Sequence, residues 1–327
     1  MTPAAGETTF LLADIGGTHA RFRLLRGGRL ERLPTADVAR HDTVKAAITA
    51  ALAADGGPPP RAALLAVAAP VSGDRIRLTN APWDIDAAAL REAFGFADAR
   101  LVNDFEAVAW SIPALGEGDV LHLGGGPGDP GAPCVVVGPG TGLGAAAYLP
   151  LGDGHVLAGE GGHMSLAAAN PVEFAVIEHL RQRFGHVSVE RAVSGPGLVN
   201  LYEAIASGSG APTIRRSPDA VSREALAGTC ADCVAALDMF CGLLGSFAGD
   251  MALALGARGG IYIGGGIAPR IPAKLAEGTF MARLLNKGRF REWLETVPVR
   301  LITHPEPAFL GLARMADRAF AAQARDG

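Results

Sequence analysis

No Gly-Lys-Ser or Gly-Lys-Thr occurs anywhere in the 327 residues, which excludes a Walker A phosphate loop. His-Arg-Asp and Asp-Phe-Gly are equally missing, which excludes the protein-kinase set. Basic charge is not in surplus. The 29 lysines and arginines face 33 aspartates and glutamates, so neither nucleic acid nor an anionic membrane is an expected partner. Uncharged apolar stretches such as Ala62–Ser72 fall short of the roughly 20 residues that cross a bilayer. Met1–Glu7 has no basic section and no apolar section, so no secretory signal is expected and the cytoplasm is the expected compartment. Lysine is scarce, with only Lys45, Lys274 and Lys287; beside the abundant Arg, Ala and Gly this is a compositional bias that says little about function.

Cysteine is also sparse, at positions 134, 230, 233 and 241. Cys230-Ala-Asp-Cys233 has the C-x-x-C spacing of redox and zinc sites. The pair falls inside a helix-compatible stretch, Ser222 to about Ala257, and no second pair or nearby histidine completes a tetrahedral set. A structural role is therefore expected for the cysteines.

What is present is a folded α/β chain: 49% of residues are hydrophobic and 19% charged, and the length suits two domains. Thr9–Asp14 reads as a strand, and Ala20–Leu25 alternates as its hairpin partner. A helix is expected over Asp42–Ala54 with Asp42 as its cap. Further expectations are a buried strand at Ala62–Ala68, a helix at Asp84–Phe94, a strand at Ala99–Asn103 and a helix from Asp104. After Pro113 the expected strands are Cys134–Gly138, Leu143–Leu149, Ile261–Ile263 and Val299–Thr303. The expected helices are Pro171–Phe184, Gly197–Ser207, Ser222 to about Ala257, and Ala308 to about Ala322. Gly242, Gly245 and Gly249 share one face of the long helix, a pattern suited to close backbone packing.

One feature occurs twice. Asp14-Ile-Gly-Gly-Thr18 and Gly138-Pro-Gly-Thr-Gly-Leu-Gly144 each run strand, glycine tip bearing threonine, return strand. Backbone N–H groups with no Cβ nearby, beside a hydroxyl, suit a phosphate, and a third glycine run stands at 264–266. Gly140-Thr-Gly-Leu-Gly-Ala145 nearly fits the dinucleotide fingerprint, with Glu160 twenty residues on; but that fingerprint must open a helix, and here a strand follows. A mononucleotide is therefore expected rather than NAD.

Asn103-Asp104 lies where a strand gives way to a helix, so Asp104 is either a ligand-facing acid or a helix cap. Glu160-Gly-Gly-His163 offers an acceptor and a two-way hydrogen-bonding group suited to sugar hydroxyls. Glu190-Arg191 is either a solvated pair or turned inward, and spacing leaves both open.

Taken in order, Asp14–Arg21, Leu101–Glu106, Gly138–Gly144, Gly159–His163, Glu190–Leu198 and Gly264–Pro269 resemble the bacterial ATP-dependent glucokinases of the proteobacterial type, over about residues 9–320. The resemblance implies two actin-like ATPase (ribonuclease H-like) α/β domains around a central cleft. It puts 1–110 plus 301–327 in the smaller domain and 111–300 in the larger, and it implies a homodimer. It implies Asp104 as the general base toward the sugar 6-hydroxyl, with Asn103, Glu160, His163 and Glu190 on the remaining hydroxyls. ATP would be held by Gly16, Gly17 and Thr18, by Gly140, Thr141 and Gly142, and by Gly264, Gly265 and Gly266. Asp14 would position Mg2+, through water. His19 and Pro139 depart from the family's usual residues, an asparagine and a small residue. The related repressor-kinase family carries a cysteine-rich zinc site after its Gly-Gly-His, and no cysteine lies between 134 and 230 here. The competing readings are a kinase of another hexose or amino sugar, a regulator with an N-terminal helix-turn-helix, for which a first strand near residue 9 leaves no room, and a non-catalytic sugar-binding module.

Overall fold

A computed structural model describes residues 9–78, 82–209 and 214–323. The Met1–Glu7 segment considered above for a signal lies outside the described residues. The chain divides into two compact units, Met1–Leu115 with Pro305–Gly327, and Gly116–His304.

In the first unit, β1 (Phe10–Ile15) is the pivot of the sheet. It pairs antiparallel with β2 (His19–Arg26) and parallel with β5 (Ala62–Val67), which pairs parallel with β8 (Asp98–Asn103). β3 (Arg29–Arg32) and the short β4 (Ala36–Asp37) extend the β2 side, giving the order β3-β2-β1-β5-β8. A strand flanked on both edges needs apolar residues on both faces. β1 meets this with Leu11, Leu12, Ala13 and Ile15 fully buried, while Asp14 is the polar exception.

Two expectations about helices are corrected here. The helix α1 (Val44–Ala53) is capped by Thr43, whose Oγ1 accepts the Ala46 N–H at 3.1 Å; Asp42 lies one residue too early to reach the first turn. Asp84–Phe94 is not one helix. Its start is the strand β7 (Asp84–Asp86), paired with β6 (Arg75–Arg77) and tied by the Arg75–Asp84 ion pair. Only then does α2 (Ala87–Phe94) begin, capped by Asp86 and ended by Gly95 at φ +67°. The β8 strand runs directly into α3 (Asp104–Ser111). The C-terminal helix Pro307–Gln323 packs on α3 so closely that a side chain at Gly311 would collide with the Ala107 carbonyl.

The second unit repeats this strand order. β10 (Cys134–Pro139) pairs antiparallel with β11 (Leu143–Leu149) and parallel with β13 (Gly260–Ile263). β12 (His155–Gly159) lies beyond β11, and β14 (Val299–Ile302) lies parallel beyond β13. The sequence reading missed β9 (Val120–Gly124), an antiparallel edge strand on β14 whose leucines are half exposed. It leaves a mixed sheet with the order β12-β11-β10-β13-β14-β9.

Helices α4 (Pro171–Phe184), α5 (Gly195–Ser209), α6 (Pro218–Leu226) and α7 (Ala231–Leu255) build the helical part of the core. The helix expected from Ser222 to Ala257 is two helices, broken at Ala227–Cys230 where Gly228 takes φ +68°. Cys230 therefore caps α7 instead of sitting inside it. α7 is long and apolar enough to span a bilayer by length alone, but it is the core helix of this unit, packed by α5, α6 and the helix Thr279–Leu285. Gly245 and Gly249 do serve close packing: a side chain at either would strike the carbonyl of Phe280 or Leu284.

A buried charge network pins three of these helices. Glu173 of α4 accepts two hydrogen bonds from Arg283, whose guanidinium also donates to Ser246 of α7 at 2.9 Å. Burial pushes the Glu173 carboxyl up, but the Arg283 hydrogen bonds and the Ala169 N–H outweigh it and leave it below the ordinary value. An acid held down in the fold contributes stability that is present above its unfolded value and is lost as pH falls through the folded one. Glu173→Gln should therefore destabilise the protein by about 3–5 kcal/mol at neutral pH, because it strands a buried guanidinium. It should also flatten the fall of stability below about pH 4. Denaturant melts of both proteins from pH 3 to 7 check this, and parallel curves would contradict it.

Candidate active site

Each unit collects its predicted polar residues at the carboxyl ends of its parallel strands, where open α/β sheets bind ligands. In the first unit the register aligns Ile15 with Val67 and Val67 with Asn103. The tip Gly16-Gly17-Thr18 and the Asn103-Asp104 pair thus share one end of one sheet. The tip is closed by Gly16 N–H to the His19 carbonyl at 3.0 Å and tied sideways by Val38 N–H to the Thr18 carbonyl at 2.9 Å. Gly17, Thr18 and His19 are exposed.

Asp14 sits directly opposite Arg21 in the hairpin register, and the two form an ion pair at 3.3 Å. Burial pushes the Asp14 carboxyl up and Arg21 only offsets it; Glu306 adds to the rise. A carboxylate penalised in this way gains from a nearby cation. One such acid fits Mg2+, which typically keeps its waters and binds through one or two carboxylates plus substrate phosphates.

The capping question at Asn103-Asp104 resolves in favour of Asn103. Its Oδ1 accepts the N–H groups of Phe105 at 2.9 Å and Glu106 at 3.2 Å, and its Nδ2 donates to the Ala69 carbonyl. Asp104 is the first residue of α3, half-buried, with Oδ1 accepting the Phe105 N–H at 2.9 Å. The cap of α3 that the sequence left open is thus supplied by Asn103.

In the second unit the tip Gly140-Thr141-Gly142 closes through Gly140 N–H to the Gly142 carbonyl at 2.8 Å. The third glycine run lies beside it: Gly264 N–H reaches Val137, and Gly265, at φ +79°, leaves no room for a side chain against the Pro139 carbonyl. Pro139 itself accepts the Ile267 N–H at 3.1 Å.

Glu190 turns inward. It belongs to the short turn Val189–Arg191, and its Oε2 accepts the Leu143 N–H at 2.9 Å. A Cβ on Gly142 would stand 2.5 Å from that same oxygen, so glycine at 142 leaves the carboxylate room in this position. The turn Gly161–His163 is anchored on Leu143 too, since a side chain at Gly162 would run into the Leu143 carbonyl. It also packs on Val189–Arg191, and Val189 N–H donates to the Met164 carbonyl at 2.9 Å. Glu190 and the Glu160–His163 turn are thereby brought to the first residue of β11. Glu160 and His163 are themselves exposed.

The tip and the glycine run border a cavity of ≈ 870 Å³ whose remaining wall was not foreseen. That wall comprises Gly195 and Pro196 at the start of α5, residues Pro218, Ser222, Arg223 and Leu226 of α6, and Ile267 and Arg270. Gly195 N–H donates to the Gly140 carbonyl at 2.8 Å, which brings the N-terminus of a 15-residue helix to the tip. Such a terminus favours an anion. Only the break before Cys230 reveals α6 as a separate wall.

Comparison with known proteins follows the same path. The glucokinase family model matches residues 11–319. The glucokinase of Aromatoleum aromaticum is 44% identical over 317 residues, covering 96% of each chain. The crystal structure of a glucokinase from an Antarctic psychrotroph superimposes with a TM-score of 0.84 at 36% identity, covering 94% of this chain and 98% of that one. A ROK family glucokinase from Streptomyces griseus, solved with glucose and AMPPNP, shares the fold at a TM-score of 0.66 and 19% identity, covering 94% and 98%. The α/β architecture of these neighbours is the two-domain actin-like ATPase fold.

Proposed function

The chain belongs to the glucokinase family, and on that premise we propose that it transfers the γ-phosphoryl group of ATP to the 6-hydroxyl of D-glucose. The observation that carries this reading is the near-complete coverage at 44% identity. The hydrogen-bonded placement of Glu190 against the Thr141 tip supports it.

Phosphoryl transfer asks the protein chiefly for positioning and charge stabilisation. We assign Asp104 as the base that accepts the 6-hydroxyl proton. Its place at the start of α3 is set by the Asn103 cap behind it. Asn103 commits Oδ1 to that cap and one amide hydrogen to Ala69, which leaves its second amide hydrogen for a sugar hydroxyl. Glu190 commits Oε2 to Leu143, and we assign Oε1 to the sugar. Glu160 and His163 complete the set of hydroxyl partners.

The ATP phosphates fall to Gly16, Gly17 and Thr18 and to Gly140, Thr141 and Gly142. Gly264, Gly265 and Gly266 border the adenosine in the cavity with α6. Asp14 is the residue that would hold Mg2+, which neutralises phosphate charge when bound. The cytoplasm, where ATP is made and held, is the compartment we assign.

We also propose a homodimer. Leu151, Leu157, Met164, Val172 and Phe174 are each half or more exposed within one short segment of the second unit. β12, which carries Leu157, is an edge strand of its sheet. Exposed apolar residues beside an open strand edge suit a second copy of the same surface. Sedimentation should show a dimer that Leu157→Arg with Phe174→Glu converts to a folded monomer; a monomeric wild type would refute it.

The reaction is tested by a coupled assay with ATP and a panel of hexoses. Glucose should exceed mannose and N-acetylglucosamine in kcat/KM, because buried groups that expect a hydroxyl penalise its absence or inversion. Asp104→Ala should lower kcat by about 10²–10⁴-fold with glucose binding retained. A better substrate than glucose would overturn the sugar assignment, and near-wild-type turnover in folded Asp104→Ala would overturn the base.

A further inference from the structure

Cys230 and Cys233 lie together at the start of α7, a placement that the broken helix creates. Cys230 is the cap, half-buried, with its Sγ accepting the Cys233 N–H at 3.4 Å. Cys233 is fully buried in the core of the unit. Among the described residues, the two sulfurs and a carboxylate oxygen of Glu224 all lie within 4.8 Å of one another. A cation is not the natural occupant of this cluster. Glu224 already holds Arg216 at 2.9 Å, and a guanidinium beside the donors opposes a metal charge.

We propose that Cys230 and Cys233 form a reversible dithiol that peroxide closes to a disulfide, and that closure shifts the α6 wall of the neighbouring cavity. The less buried partner, Cys230, reacts first: its thiolate attacks one peroxide oxygen, the O–O bond breaks, and water leaves after protonation. The resulting sulfenic acid is attacked by the Cys233 sulfur. The S–O bond breaks, the S–S bond forms, and a second water takes up the Cys233 proton. Both electrons lost by the thiols reduce the peroxide to water. Burial and the adjacent Cys230 hold the Cys233 thiol up, so it is not the sulfur that reacts with peroxide first.

The mechanical consequence follows from which sulfur can move. Closure brings the sulfurs from within 4.8 Å to about 2 Å. Cys233 is fixed by the core, so Cys230 travels. It is joined to α6 by Ala227-Gly228-Thr229, and Thr229 N–H is bonded to the Glu224 carbonyl at 3.1 Å. Gly228, at φ +68°, is the turn through which the connection bends. Arg223, Leu226 and Ala227, at that end of α6, line the cavity. The effect on ATP rests on the reading of this cavity as the adenosine site; the dithiol does not.

The test uses the reduced full-length protein, treated with hydrogen peroxide and mapped after alkylation. Titratable thiols should fall from the four free cysteines to two, with Cys230 and Cys233 linked and Cys134 and Cys241 still alkylated after unfolding. Dithiothreitol should restore all four. The KM for ATP should rise on oxidation and that for glucose should not, while Cys230→Ser shows neither the link nor the change. Four thiols surviving peroxide, over-oxidation of Cys230 without the link, or stoichiometric zinc held by the pair would overturn the dithiol. A complete disulfide with unchanged ATP KM would overturn the coupling to α6. Reduced protein without glucose phosphorylation would fault the functional reading and leave the thiol map standing.

Discussion

One hydrogen bond, from the Leu143 N–H to the Glu190 carboxylate, organises the second unit's polar residues. It is charge-assisted and partly buried, the kind of hydrogen bond that is worth more than a neutral one. Its present geometry depends on glycine at 142, because a Cβ there would stand 2.5 Å from the oxygen and make the carboxylate shift. Its orientation depends on the turn Val189–Arg191, which the Ser194 hydroxyl pins by donating to the Glu190 carbonyl at 2.8 Å. Leu143 then does double service, since its carbonyl lies over Gly162 and seats the turn that carries His163. The turns Val189–Arg191 and Gly161–His163 are thus referred to one backbone residue, and one oxygen of the carboxylate is fixed on it.

The first unit solves the equivalent problem with an amide. Asn103 takes the cap of α3 with one oxygen and grips Ala69 with its nitrogen, so the next residue, Asp104, is set by helix geometry and not by its own flexibility. The helix is in turn seated by Gly311, where the C-terminal helix comes within backbone contact of Ala107. The same economy recurs in both units: a glycine permits a close approach, the approach fixes a backbone, and the backbone aims an acid. Packing of this density resists displacement, because interiors have few voids to absorb a shift.

Much of this was legible from local pattern. The continuous apolar run of β5 read as a buried strand, β1 and β10 read as strands, and the Thr-bearing tips read as hairpin ends, because strand patterns and glycine turns are local signals. Short pairings were not legible: β6 and β7 are three residues each, too short for a periodicity, and only their pairing with each other makes them strands. The edge strand β9 escaped because its leucines are half exposed and it carries no continuous apolar run. The break before α7 escaped for a different reason. Thr229 and Cys230 are no strong helix breakers, and the chain turns there because Gly228 takes a left-handed φ and Glu224 holds Thr229. That single misreading hid both the α6 wall and the place of Cys230 as the cap of α7. For Glu190, spacing allowed a solvated pair; only the approach of β11 shows that its carboxylate is claimed by Leu143.

The most direct measurement is glucose binding by Gly142→Ala, followed by calorimetry beside the wild type, with thermal melts to confirm that both are folded. The added methyl would stand 2.5 Å from the Glu190 oxygen that holds Leu143, so the carboxylate must shift. Glucose affinity should fall by about tenfold or more, the equivalent of roughly 1.4 kcal/mol or above for a lost charge-assisted hydrogen bond. An unchanged glucose affinity in a stably folded Gly142→Ala protein would contradict the central claim that this glycine and Leu143 set the position of the sugar-binding acid.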